Sequence, residues 1–237
     1  MYKHKMHNRK ATSYQRRTGR VTKEQRAHLA SDRHQIASLS TEDLQPLIRQ
    51  YANTVLEIGF GTGEHLLQNI IDTPDTLHIG IDLYRAGVAR MLQQFDKQSL
   101  SNAYVLCEDA SIAITKCPDE QIDRIDIHHP DPWPKKRHHK RRLIQIEFIK
   151  DCLRILKPGG TIEIVTDDSA YFDDIMHLLE HDLESHCQLQ TQHEREPNSK
   201  YGRKAIIEGR NIQSVSIQKI ISTNASMPTS HHGNQAD

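Results

Sequence analysis

The sequence predicts an α/β domain built on a doubly wound, seven-stranded, mostly parallel sheet. Three observations carry that expectation. Short apolar runs alternate with amphipathic stretches, a glycine-rich turn follows the first run, and acidic residues recur where the next runs end. In chain order the strands are TVLEIG (54–59), TLHIGID (76–82), NAYVLCE (102–108), IDRIDIH (122–128) and GTIEIVT (160–166). Each is a short apolar run of the kind buried on both faces of a parallel sheet. Helices are expected between them at 63–72, 85–97, 109–115 and 141–156, with right-handed crossovers. Gly159 and Gly160 after Pro158 form a turn that closes the helix over 141–156 and opens the strand at 160. A further helix (170–182) and two weaker strands, HCQLQTQ (186–192) and IQSVSIQKI (212–220), complete the set. The domain is expected to span 36–222, after a basic arm over 1–35 and before a polar, disordered tail over 223–237.

A chain of 237 residues is one α/β domain with additions, and 36% hydrophobic residues suffice for a core. No apolar run is long enough for a transmembrane helix, and the basic start MYKHKMHNRK leads into no apolar stretch, so no secretory signal or membrane partner is expected. Cys107, Cys117, Cys152 and Cys187 form no CxxC pair, which fits a reduced, cytoplasmic protein. The formal net charge of +0 hides an asymmetry. Residues 1–34 hold ten Lys or Arg against Glu24 and Asp32, and KKRHHKRR (135–142) adds six positive charges and no acid. Clustered positive charge of this kind takes phosphate as its usual partner.

In LEIGFGTGEHLL (56–67) a strand ends and Gly59, Gly61 and Gly63 lead into a helix. Glycines there let the backbone approach a ligand at the carboxyl edge of the strand. The spacing is GxGxG rather than the GxGxxG of dinucleotide sites, and Glu57 precedes it. A carboxylate before such a turn repels a pyrophosphate and attracts an ammonium, which points to S-adenosylmethionine. Asp82 ends the second strand, where an acid accepts from ribose hydroxyls. Asp109 follows the third, placed to accept from an adenine amino group or, read alone, to cap the next helix. The fourth strand runs into HHPDPWPKKRHHKRR (128–142), whose three prolines hold Asp131 and Trp133 in a defined loop. A rigid acid and aromatic followed by six positive charges resembles a nucleic-acid site. His128-His129 and His138-His139 lack cysteine partners and HExxH spacing, so no metal is expected.

LEIGFGTGEHLL, GIDLYRAGV, CEDA, PDPWPKKRHHKRR, LKPGG, VTDD and SKYGRKAIIEGR together resemble the bacterial tRNA (guanine-N7)-methyltransferases, in order and near spacing, from about Thr12 to Ser222. PDPWPKKRHHKRR is the most specific segment. The resemblance implies a Rossmann-like class I methyltransferase that moves a methyl from S-adenosylmethionine to N7 of the variable-loop guanine of tRNA, as a monomer or homodimer. It implies cofactor contacts at Glu57, Asp82, Asp109 and Asp131, with Asp131 as the catalytic candidate, and substrate contacts at Lys135 and Asp167. The family's Thr-Lys-Phe/Tyr-Glu substrate motif falls on Ser199, Lys200, Tyr201 and Gly202. The glutamate is therefore Gly202 here, and a missing charged hydrogen bond costs about 1.5–3 kcal/mol. Glu196 and Glu208 are the nearby acids. One alternative is a cofactor- and tRNA-binding protein that lost turnover at Gly202. An NAD-dependent oxidoreductase is disfavoured by GxGxG, and a small-molecule methyltransferase leaves both basic segments unexplained.

Overall fold

The computed structural model describes residues 21–183, 187–192 and 200–220. Seven strands form one sheet: β1 (Asn53–Ile58), β2 (Thr76–Ile81), β3 (Ala103–Leu106), β4 (Ile122–His128), β5 (Leu156–Thr166), β6 (Cys187–Gln192) and β7 (Gln213–Lys219). Their spatial order is β3-β2-β1-β4-β5-β7-β6. The first five pair in parallel, and β7 runs antiparallel to both β5 and β6. The helices are α1 (Lys23–Leu29), α2 (Thr41–Ile48), α3 (Glu64–Asp72), α4 (Arg85–Lys97), α5 (Ala110–Lys116), α6 (Ile146–Ile155), α7 (Ser169–Asp182) and α8 (Lys200–Ile207). A 3-10 helix, Lys136–Arg141, lies between β4 and α6. None of these helices is long and apolar enough to cross a membrane. All four cysteines are free.

Alternation along the strands sends two unlike sets of side chains to the two faces. Leu56, Ile58, Ile79, Ile125, Ile127, Ile162 and Ile164 face the main core, shared with α5, α6 and α7. A second apolar cluster, Leu66 and Ile70 from α3 with Val88, Met91, Leu92 and Phe95 from α4, covers the β2–β3 end of the other face. Over β1, β4 and β5 that second face is polar. Glu57 pairs with Asp126, and Asp126 with Glu163.

The structure corrects the sequence reading in four places. The single helix expected over 141–156 is the 3-10 turn, an extended stretch and then α6. Arg142 turns inward instead of continuing the helix, and its Nε donates to the Pro132 carbonyl at 2.8 Å. The strand expected from 160 begins at Leu156, and the Gly159-Gly160 turn lies inside it as a bulge between the pairs Ile122–Leu156 and Arg124–Thr161. Helices α1, α2 and α8 were not expected. Thr22 and Gln25 form a capping box at α1, and Ser40 caps α2. Finally, residues 34–36 extend the sheet beside β3, with Ile36 N bonding Val105 O at 3.1 Å and Val105 N bonding His34 O at 2.9 Å. The last part of the segment read as an arm is thus docked on the domain. The tail 223–237 lies outside the described residues.

Candidate active site

The glycine turn is built by three residues in the left-handed region, Gly59, Gly61 and Gly63. Each has a different reason. A Cβ at Gly59 would meet nothing within 4 Å, so the backbone there borders open space. Gly61 donates its N–H to Asp82 Oδ2 at 2.6 Å, which ties the turn to the end of β2. At Gly63, which caps α3, a Cβ would lie 2.0 Å from the Met91 sulfur. Gly87 on α4 shields the same turn, since a Cβ there would fall 2.0 Å from the Gly61 carbonyl oxygen.

The acids expected at strand ends lie along one edge of the sheet, on the adjacent strands β3, β2, β1 and β4. Asp82 also accepts from Tyr84 N at 2.7 Å. Asp109 caps α5, with its Oδ1 accepting from Ser111 N at 2.9 Å and Ser111 Oγ at 2.6 Å. Its capping role is the one its sequence position alone favours. Glu57 is 3% exposed and turns onto the sheet face, where its Oε2 lies 2.8 Å from His65 Nδ1. Burial opposes a charge on His65, but the hydrogen bond and charge of Glu57, helped by Asp126 and Glu163, hold its pKa above the ordinary value. Burial raises that of Asp126, against the pull of Arg124.

Asp131 is half-buried in the loop after β4. Two non-glycine residues of that loop, His129 and Trp133, have φ of 49° and 44°. Such conformations persist only where surroundings over-determine them. Here His129 N donates to Val165 O at 2.7 Å, and its Nδ1 lies 2.8 Å from Asp167 Oδ1. Trp133 is 8% exposed, covered by the Arg141 guanidinium at 4.9 Å and edged by His138. Arg142 fastens the loop from below. It bonds Pro132, pairs with Asp174 on α7, and lies over the Tyr171 ring at 4.4 Å. Burial pushes the Tyr171 hydroxyl well up, so it stays protonated, and its oxygen accepts from Ile144 N.

Of the expected substrate residues, Lys135 is exposed at the start of the 3-10 helix. Asp167 follows β5 and is held between His129 and Arg210. Arg210 also binds Glu208, so that acid lies one guanidinium away from Asp167. Gly202 is buried in α8, whose Arg203 pairs with Glu64 at the start of α3. Ser199, Glu196 and the side chains of Lys200 and Tyr201 lie outside the described residues. Sequence reasoning missed His65, Arg210, Asp126 and Glu163, and read Arg142 as one of the RNA-facing cations, whereas it is turned inward. The available signal for Asp126 was the alternation of Arg124, Asp126 and His128 along one face of β4.

A glycine turn at the carboxyl edge of β1, acids after the neighbouring strands, and a sheet closed by a reversed β7 define a class I methyltransferase domain. Residues 51–215 match the family model described as "Putative methyltransferase". The tRNA (guanine-N(7)-)-methyltransferase of Nitrosococcus oceani is 39% identical over 176 residues, 72% of this chain and 74% of that protein. The enzyme of that name from Alkalilimnicola ehrlichii is 35% identical over the same shares. The chain belongs to the tRNA (guanine-N7)-methyltransferase family. Among solved structures, the 16S rRNA methyltransferase KamB aligns with a TM-score of 0.60 at 14% identity, over 78% of this chain and 99% of KamB. An antibiotic-related methyltransferase aligns at 0.58 and 19% identity, over 78% of this chain and 96% of that one. These share the fold. Family membership removes the oxidoreductase alternative, and the relatives are named as enzymes, which does not favour the binding-only one.

Proposed function

We propose that this protein methylates N7 of a guanine in the variable loop of tRNA, using S-adenosylmethionine, in the cytoplasm. The observation that carries the reading is the strained loop holding Asp131 beside β1, pinned by Arg142 and continuous with the exposed basic 3-10 helix. Within the basic segment 1–35, the part preceding the residues docked beside β3 would serve as the RNA-facing arm, and 36–222 as the catalytic domain. The open backbone at Gly59 fits a ligand lying across the turn, with Asp82 and Asp109 giving it a negative rim suited to a cationic nucleoside and Glu57 adding its charge from beneath.

S-adenosylmethionine, when bound, supplies a methyl group on a positively charged sulfur. Guanine N7 carries an in-plane lone pair and no proton, so the chain needs neither a general base nor a metal for the transfer. As the methyl moves, positive charge passes to the purine ring. Asp131 stabilises that charge, and the rigidity of its loop means little reorganisation is needed at the moment of reaction. Lys135, Lys136, Arg137 and Lys140 hold the RNA backbone, while Asp167, Ser199, Lys200, Tyr201 and Gly202 border the base. Glu208, linked to Asp167 through Arg210, would offset the missing glutamate at 202.

The test is methyl transfer from labelled donor to unmodified bulk tRNA, with nucleoside analysis of the product. N7-methylguanosine is the expected product, and donor binding without it would overturn the reading. Asp131→Asn is expected to lower kcat by roughly 10²-fold or more, the scale of losing one electrostatic contact to the transition state. Its tRNA affinity should change little. An unchanged kcat would remove Asp131 from the reaction.

A further inference from the structure

The polar face of the sheet carries three carboxylates in one cross-strand row. Glu57, Asp126 and Glu163 are register partners on β1, β4 and β5, so neighbouring side chains start about 5 Å apart. Two histidines close over them. His65 descends from α3 onto Glu57, and His128, two residues beyond Asp126, points its Nε2 at Glu163 Oε2, 3.1 Å away. The two imidazole rings are 4.2 Å apart. Ligand-type atoms of Glu57, His65 and Asp126 all lie within 4.8 Å of one another, and so do those of Asp126, His128 and Glu163. Among the described residues these are the two such groups, and they share Asp126.

Asp126 is fully buried. Its Oδ2 accepts from Arg124 at 2.9 Å, while its Oδ1 has no hydrogen-bond partner. His128 Nδ1 is also buried without one. A buried carboxylate oxygen left in this state is an unmet demand for a donor or a cation. Arg124 pairs with Asp126 through Oδ2 only.

We propose that Asp126, His128 and Glu163 bind one divalent transition-metal cation, with Glu57 and His65 lining its other side. An imidazole with carboxylates suits zinc, cobalt or manganese, whereas calcium and magnesium favour oxygen-only sets. The 3.1 Å separation of His128 from Glu163 is near that of adjacent ligands about 2.0–2.2 Å from a shared ion. Glu163 is 29% exposed and opens the site to solvent. The cation neutralises the row beneath the glycine turn and cross-links β4 to β5. It stands outside the methyl transfer.

The experiment uses the full chain, stripped with chelator and without donor or tRNA. Cobalt(II) is titrated and followed by visible absorption, then displaced by zinc, and thermal melts are recorded with and without zinc. One equivalent per chain is expected, with a rise in Tm on saturation. Glu163→Gln and His128→Gln should each weaken binding at least tenfold and abolish that rise. Glu163→Gln keeps the shape of a partly exposed side chain, so a native circular dichroism spectrum separates lost binding from lost fold. Absence of stoichiometric binding by the wild type would overturn the proposal. So would binding that both variants retain, which would assign the ion to other histidines such as the stacked His177–His181 pair.

Discussion

His78 lies on β2 with 1% of its surface exposed, and its Nε2 meets Thr73 Oγ1 at 2.8 Å. Thr73 donates its own hydroxyl to the Asn69 carbonyl, so His78 must supply the proton of the shared bond, leaving a bare Nδ1 with no partner. The ring is therefore neutral. Burial, reinforced by the charges of Arg124 on β4 and His65 on α3, depresses its pKa to about 4. The unfolded chain takes up this proton at about 6.5, which the native state refuses until about 4. Stability is consequently lost as pH falls through that window, by about 3 kcal/mol in full. Urea denaturation at both ends of the window should show His78→Gln losing roughly 2–3 kcal/mol less than the wild type. Equal losses would place the acid sensitivity elsewhere. The acids after β2, β3 and β4 were legible in the sequence because each sits in a contiguous motif. The row of Glu57, Asp126 and Glu163 was not, because it exists only in cross-strand register, which no single strand encodes.

At the scale of elements, the contact between α4 and the glycine turn decides whether the cofactor edge keeps its shape. The Cβ of a residue at 87 would fall 2.0 Å from the Gly61 carbonyl oxygen, a backbone atom that no side-chain rotation can move aside. At Gly63 the obstacle is the Met91 thioether, which is flexible, but the φ of 75° adds strain. Gly87→Ala is thus expected to push α4 and the turn apart, lowering donor affinity about tenfold and stability by about 1–3 kcal/mol. Calorimetric titration with the donor, beside a thermal melt, checks both, and unaltered donor affinity would detach α4 from the site. The sequence offered GxGxG as a ligand cradle, yet two of its three glycines answer to protein packing and hydrogen bonding. The helix expected over 141–156 fails for a related reason. Its periodicity counts Arg142 as one more solvent-facing cation, whereas that side chain is drawn in by Pro132, Asp174 and the Tyr171 ring.

For the whole molecule, charge segregation fixes how RNA binding responds to salt, and the structure changes the count that composition suggests. Six cations lie between 135 and 142. Arg142 is buried in the scaffold, and Arg141 is held over Trp133, so Lys135, Lys136, Arg137 and Lys140 remain as exposed charges. Each phosphate neutralised contributes about 0.7–0.9 to the slope of log K against log salt. A Lys136→Gln, Arg137→Gln, Lys140→Gln triple variant should therefore flatten the slope for tRNA by about 2, measured by fluorescence anisotropy over a potassium chloride series. Affinity for the donor should be unchanged, because these three exposed side chains belong to the 3-10 helix and not to the glycine turn. Arg142→Gln should behave in the opposite sense. Its tRNA salt slope stays close to that of the wild type, while the loop carrying Asp131 loses its anchor and kcat falls. If Arg142→Gln instead flattened the slope as the triple variant does, the buried guanidinium would have to reach phosphate in the complex, and the loop would have to open on binding RNA.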